Sequence, residues 1–251
     1  MKRYSSLLKH RENEILSYLE DNEIVIFALQ DIYRDFKEHY SYSEFCEALS
    51  KLNHTGHIER FEKGKYIKRG FKDQYVIGNR ITEDAVIAYW SALNLHGLTE
   101  QFSNTVFVQT TRKKQNKRIF NVDYKVVKVK SEKMVGIINF GYGNHSFKIT
   151  DKEKTILDCF DLPEYAGDFH WAMEAFVRNR WNQDLLVKYC NAVGNEAAVK
   201  RMGYLADLHK MPMSRFIRFA KEKVNNTINL LNPLASNTGN IITKWGLKIN
   251  E

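Results

Sequence analysis

An α+β fold in two parts is predicted by three features of this sequence. Apolar residues recur at helical spacing as far as His54, a basic hairpin pattern follows, and beyond Gly70 strand-like runs give way from Thr150 to helical periodicity. The N-terminal part reads as follows. Ile15, Leu16 and Leu19 share one face of a helix over Arg11–Glu20. A second helix is expected over Phe27–Phe36, with Leu29, Ile32, Tyr33 and Phe36 inward. Ser41 or Ser43 supplies an N-cap for a third, because Phe45, Ala48, Leu49 and Leu52 then fall at i, i+3, i+4 and i+7, and Gly56 ends it. In "HIERFEKGKYIKRG" Ile58 and Phe61 precede a Lys63-Gly64 turn and Tyr66 and Ile67 return. Three helices and a basic hairpin predict a winged helix-turn-helix over residues 1–72, and an α+β domain fills 73–251.

In that architecture the third helix enters the major groove and the wing lies along phosphates. The candidate DNA contacts are therefore Tyr42, Ser43, Lys51 and His54 on the helix, with Arg60, Lys63, Lys65, Lys68 and Arg69 on the wing. Glu59 and Glu62 oppose the wing cations, and Glu44 and Glu47 sit on the helix face. A second basic surface is expected from Arg112, Lys113, Lys114, Lys117, Arg118, Lys128 and Lys130. The formal charge of +8 agrees with an acidic partner.

For the second domain, "ITEDAVIAYWSALNLHGLT" reads as one helix with Thr82 as cap and Gly97 as its left-handed stop, where His96 meets the last carbonyls. Strands are expected in "TVFVQTT", "RIFNVDYKVVKVK" and "MVGIINFGYGNHSFKI", with "FGYGNHSF" a turn and not a phosphate loop. In "ITDKEKTILDCFDLPEYAG" Thr150 and Glu153 have capping-box spacing, and Ile156, Leu157 and Phe160 form the buried stripe. Asp151, Lys154 and Asp158 fall on the opposite, solvated face, and Asp161 in the fraying end before Pro163. Helices are expected over Phe169–Trp181, Asp184–Ala192, Glu196–Lys210 and Pro212–Val224, with "ITKWGLKIN" a closing strand. Trp90, Trp171, Trp181 and Trp245 are assigned to the core, as are Cys46, Cys159 and Cys190, which form no CxxC pair. No metal spacing, cofactor loop or catalytic residue is expected. "MKRYSSLLKHRENEIL" lacks the apolar core of a signal peptide and no run is long enough to span a membrane, so a cytoplasmic protein with no membrane partner is expected.

The order winged helix, "WSALNLHGLT", "ITDKEKTILDCFDLPEYAG", "VKRMGYLADL" and "TKWGLKIN" resembles the AbiEi-type antitoxins, transcriptional regulators of viral defence systems. The best markers are Ser91-Ala92-Leu93 with His96-Gly97-Leu98, and Asp151 with Glu153-Lys154-Thr155 and Leu157-Asp158. Gly203-Tyr204-Leu205 and Trp245 support them. The resemblance implies a bicistronic type IV-like toxin–antitoxin module of bacteria linked to abortive infection. Its N-terminal domain would bind double-stranded promoter DNA as a repressor, and its C-terminal domain would neutralise a nucleotidyltransferase-like toxin. The rival readings are a nucleotide-dependent transferase that modifies the toxin, with Asp158 and Lys154 near the chemistry, and a winged-helix transcription factor with a small-molecule sensor domain.

Overall fold

A computed structural model describes residues 10–250. The chain is a mixed α+β protein in two compact units, one reaching Asp73 and including Tyr142–Ser146, the other Gln74–Gly141 with the chain from Phe147. Among the described residues no helix is long and apolar enough to cross a membrane.

The first unit runs α1 (His10–Asp21), β1 (Ile26–Ala28), α2 (Leu29–Phe36), α3 (Tyr42–His54), β2 (Ile58–Glu62) and β3 (Lys65–Lys68). Its strands form an antiparallel sheet in the order β1-β3-β2. The expected second helix is shorter than predicted. Phe27 pairs with Tyr66 across β1 and β3, stacking at 5.6 Å, so the turn of chain before Leu29 is strand. Ser41 caps α3: its hydroxyl accepts from the Glu44 amide while Glu44 accepts from the Ser41 amide at 3.0 Å. Phe45, Ala48, Leu49 and Leu52 are buried as their spacing requires, packed with Ile15, Ile32 and Phe36. Cys46 is half-buried and only borders this core.

The second unit opens with α4 (Gln74–Asn79), β4 (Val86–Ile87), α5 (Tyr89–Leu95), β5 (Thr105–Thr110), β6 (Lys117–Ile119), β7 (Val122–Lys128), β8 (Ile137–Phe140) and β9 (Phe147–Thr150). Then come α6 (Lys152–Asp161), α7 (Phe169–Arg178), α8 (Gln183–Val193), α9 (Glu196–Leu208), α10 (Ser214–Glu222), β10 (Asn229–Leu230), β11 (Asn240–Ile242) and β12 (Leu247–Ile249). Six strands make one sheet in the order β6-β7-β5-β4-β9-β8, in which β5 and β7, and β4 and β9, run parallel. The last three strands form a small sheet of their own, and the segment "FGYGNHSF" is the connection between antiparallel β8 and β9.

The helix expected from Ile81 to Gly97 is half strand. Val86 and Ile87 join β5 and β9, and Tyr89, with φ +55°, turns the chain into α5. Thr82 caps nothing: with Thr110 and Thr111 it surrounds Asp84, whose carboxylate accepts from the Thr82 hydroxyl at 3.1 Å, the Thr110 hydroxyl at 2.5 Å and the Thr111 amide at 2.8 Å. Burial opposes ionisation of Asp84, but these donors outweigh it and hold its pKa well below the usual aspartate range. Gly97, φ +67°, does follow the last turn of α5. His96 looks elsewhere than predicted, with Nε2–H donating to the Thr150 carbonyl at 2.7 Å. Burial holds the imidazole below its usual range.

The largest correction falls on α6. Every residue from Lys154 to Asp161 is buried, so there is no solvated face. Lys154 and Asp158, both 0 % exposed, pair with each other one turn apart. Burial pushes the Asp158 carboxyl up against the pull of the Lys154 ammonium, and raises the Cys159 thiol in the same core. Asp161 does not fray, because it accepts from Lys133 Nζ at 2.6 Å and Asn195 Nδ2 at 2.8 Å. The capping box is also different: Asp151 caps α6 by accepting from the Lys154 amide at 2.8 Å, and Glu153 instead takes the Asn182 amide at 2.8 Å. Trp90, Trp181 and Trp245 are core residues; Trp171 is exposed.

Asp158→Ala should destabilise the protein by about 3–5 kcal/mol in urea titrations, because Lys154 is left charged and unpaired in the core. Replacing the pair together by Met at 154 and Leu at 158 should recover most of that loss. The Asp84 site predicts a pH effect. Its folded pKa is depressed, so its stabilisation is complete above the unfolded aspartate value of about 4 and is lost as the pH falls below it. Asp84→Asn should lower stability at pH 7 by about 2 kcal/mol and flatten the acid limb of the stability curve.

Candidate nucleic-acid interface

The β2–β3 hairpin turns at Lys63-Gly64, where Gly64 takes φ +72°. Its pairing runs Ile58 to Lys68 and Glu62 to Lys65, with an irregularity between Arg60 and Glu62. This register divides the predicted wing cluster. Arg60, Lys63 and Lys65 lie toward the turn. Lys68 and Arg69 lie at the base, Lys68 three residues or roughly 10 Å from Lys65 at the rise of a strand, with Arg60, opposite Tyr66, between the two ends. There Lys68 Nζ meets Glu20 of α1 at 3.9 Å. Lys65 is half-buried and paired with Glu62 at 3.0 Å, so it is less available than its sequence position suggests. Arg60 donates through Nε to the Glu62 carbonyl at 3.2 Å and through its amide to Asn53 Oδ1 at 2.9 Å. That second bond ties the hairpin to the end of α3.

On α3 the candidates separate as well. Tyr42, 52 % exposed, and Ser43, Glu47 and His54 face solvent. Lys51 does not: it is half-buried and reaches Glu12 of α1, itself 2 % exposed, at 3.7 Å. Glu44 is engaged by its own cap and by Arg11 at 3.2 Å; the Ser41 hydrogen bonds hold its carboxyl below the usual range. Glu12 and Asn53 were not singled out from sequence. An acid three residues before Ile15 on the apolar face of α1 is a readable sign of a buried partner, whereas Asn53 acts across a loop and leaves no such sign.

The second basic surface also divides. Because β5 and β7 are parallel with Thr110 opposite Lys128, Arg112 and Lys113 leave the sheet at the same end as Lys128 and Lys130. All four are exposed, and Arg112 is 3.7 Å from Glu83. Lys117 and Arg118 lie on the edge strand β6, opposite Tyr124 and Asp123, with Arg118 3.9 Å from that aspartate. Lys114 and Lys117 are half-buried. Sequence proximity had joined two patches about 17 Å apart along β7.

No protein-family model matches the chain, and no curated protein does. Among solved structures the chain is similar to the RV2827C protein from Mycobacterium tuberculosis, with a TM-score of 0.64 and 12 % identity over 96 % of this chain and 91 % of that one. At that identity the likeness concerns the fold, and it extends through both units. The residues that mark the resemblance to the antitoxins have local work in this fold. The Ser91 hydroxyl accepts from the Phe107 amide at 2.9 Å, His96 donates to the last carbonyl of β9, Asp151 caps α6, and Lys154 pairs with Asp158. Gly203 leaves room for Trp245, since a Cβ there would stand 2.6 Å from the indole.

Asn53→Ala tests the geometry of this interface. The Arg60 amide should exchange with solvent about five- to tenfold faster, as expected for the loss of one hydrogen bond of about 1 kcal/mol, while circular dichroism is unchanged.

Proposed function

We propose that this chain is an AbiEi-type antitoxin that represses its own promoter and neutralises a nucleotidyltransferase-like toxin. In this reading the first unit is a winged helix-turn-helix, with α3 as the recognition helix and the β2–β3 hairpin as the wing. The observation that carries it is the order α1-β1-α2-α3-β2-β3 closed by a β1-β3-β2 sheet, with a cation-bearing hairpin held to the end of α3 where Asn53 bonds the Arg60 amide in β2. Arg60 and Lys63 near the turn would neutralise phosphates, and Tyr42, Ser43 and His54 would face the groove. The second unit is the antitoxin domain. That part rests on the resemblance of its ordered markers, and the two exposed patches around Arg112 and Arg118 are the surfaces it offers to an acidic partner.

The reading is tested on the promoter and on the toxin separately. Replacing Arg60 and Lys63 by alanine should weaken binding to the chain's own promoter and flatten the dependence of log K on log salt by about 0.9 per lost contact. Replacing Lys68 and Arg69, at the hairpin base, should leave that slope nearly unchanged. The Arg60/Lys63 variant should still rescue growth from the product of the adjacent toxin gene when expressed from an unrelated promoter. A slope indifferent to Arg60 and Lys63 removes the wing from the interface; a folded variant that loses rescue as well removes the division of labour between the units.

A further inference from the structure

Lys68 and Arg69 are left without a role by the geometry of the hairpin, and they border a cavity. It measures about 400 Å³ and lies within the first unit, between the C-terminal end of α1 and the base of β2 and β3. That volume is in the range of small-molecule sites, about 300–1,000 Å³. Leu16, Leu19, Ile24 and Ile58 give it an apolar wall. Its polar groups are confined to Glu20, Thr55, His57, Lys68 and Arg69.

Those groups carry a net positive charge. Lys68 is offset by Glu20 at 3.9 Å, whereas the Arg69 guanidinium lies over Gly56, where a Cβ would be 3.5 Å from Nη1. Gly56 takes φ +75°, which folds the loop backbone beneath the guanidinium. The Thr55 hydroxyl donates its proton to the Lys51 carbonyl at 2.9 Å and so accepts from His57 Nδ1–H at 2.9 Å. With the hydroxyl proton so used, His57 carries its ring proton on Nδ1. Among the described residues the Arg69 guanidinium has no carboxylate partner, and one such guanidinium above an aliphatic floor suits a ligand with one negative charge and an apolar body. DNA phosphate fits poorly, since it has no apolar part to cover Leu16 and Ile24.

We propose that the first unit binds a small organic monoanion here, an aliphatic or aromatic carboxylate whose headgroup is held by Arg69 and whose body covers the α1 leucines. The inference is independent of the proposed function, because neither DNA nor toxin enters it. The full chain is titrated with sodium octanoate and with benzoate, and separately with octan-1-ol and inorganic phosphate, by calorimetry and by methyl-resolved NMR. At least one carboxylate should bind saturably at one per chain and shift the Leu16, Leu19, Ile24 and Ile58 methyls. Octan-1-ol, which lacks the charge, and phosphate, which lacks the body, should each bind about tenfold more weakly or not at all. Arg69→Gln, at an exposed position, should weaken the carboxylate about tenfold without changing the circular dichroism. The proposal is overturned if neither carboxylate saturates at millimolar concentration, if octan-1-ol matches octanoate, or if Arg69→Gln binds as the parent does.

Discussion

The buried pair of Lys154 and Asp158 constrains the second unit more than any other contact. α6 lies in the middle of that unit, packed by α5, α7, α8 and α9, and it has no face in water along most of its length. A charged side chain on such a helix must find its counter-ion within the helix or on a neighbour, and i, i+4 spacing lets Lys154 and Asp158 serve each other. Removing water from both ions is costly, so the pair adds little net stability while making either single loss expensive. The same demand recurs at the helix ends. Asp161 is held by Lys133 and Asn195, Asp151 caps the first turn, and Glu153 meets the start of α8. A run of acids that looks like chemistry in the sequence is, in the fold, the means by which a mostly buried helix pairs its polar groups, with one Asp158 carboxylate oxygen left without a hydrogen-bond partner among the described residues.

How much of this was legible follows from what each segment packs against. α3 has one wet and one dry face, so its period of apolar residues, its Ser41 cap and its inward set could be read directly. From Lys154 onward α6 is dry all round, and a period computed from hydrophobicity alone assigned its polar residues there to a solvent face that does not exist. Ile81 to Leu98 was misread for a related reason. A continuous apolar run suits a buried strand and a buried helix equally, and here it is both, divided at Tyr89. The parallel pairing of β5 with β7 across an intervening hairpin is a long-range contact, and no local pattern encodes it.

The basic clusters were legible as charge in the sequence, but their grouping in space was not. Cations adjacent in sequence alternate across a hairpin or travel along it, so one basic run became a turn group and a base group. The same reasoning split the Arg112 to Lys130 cluster between the end of the β5–β7 pair and the edge strand β6. Charge counted along a chain is thus a poor guide to charge gathered in space, unless the register of the strands that carry it is known.

Pairing within the protein reduces these groups further. Lys51 with Glu12, Lys65 with Glu62, Lys68 with Glu20, Arg112 with Glu83 and Arg118 with Asp123 each set an acid beside a candidate cation. The exposed pairs among them, Lys68 with Glu20, Arg112 with Glu83 and Arg118 with Asp123, are worth only about 0–1 kcal/mol to the fold, so a phosphate can displace the carboxylate there at little cost in stability, whereas the Lys51 and Lys65 pairs involve half-buried or buried groups. What the exchange does not remove is the carboxylate's own charge, which then repels the phosphate it has yielded to. A cation released from an acid therefore contributes less than a full unit to counterion release, whereas Lys63 at the turn has no acid in ion-pair reach among the described residues. On the antitoxin reading, this places the electrostatic weight of the wing near its tip, and it makes the salt dependence of binding a measure of net rather than nominal charge.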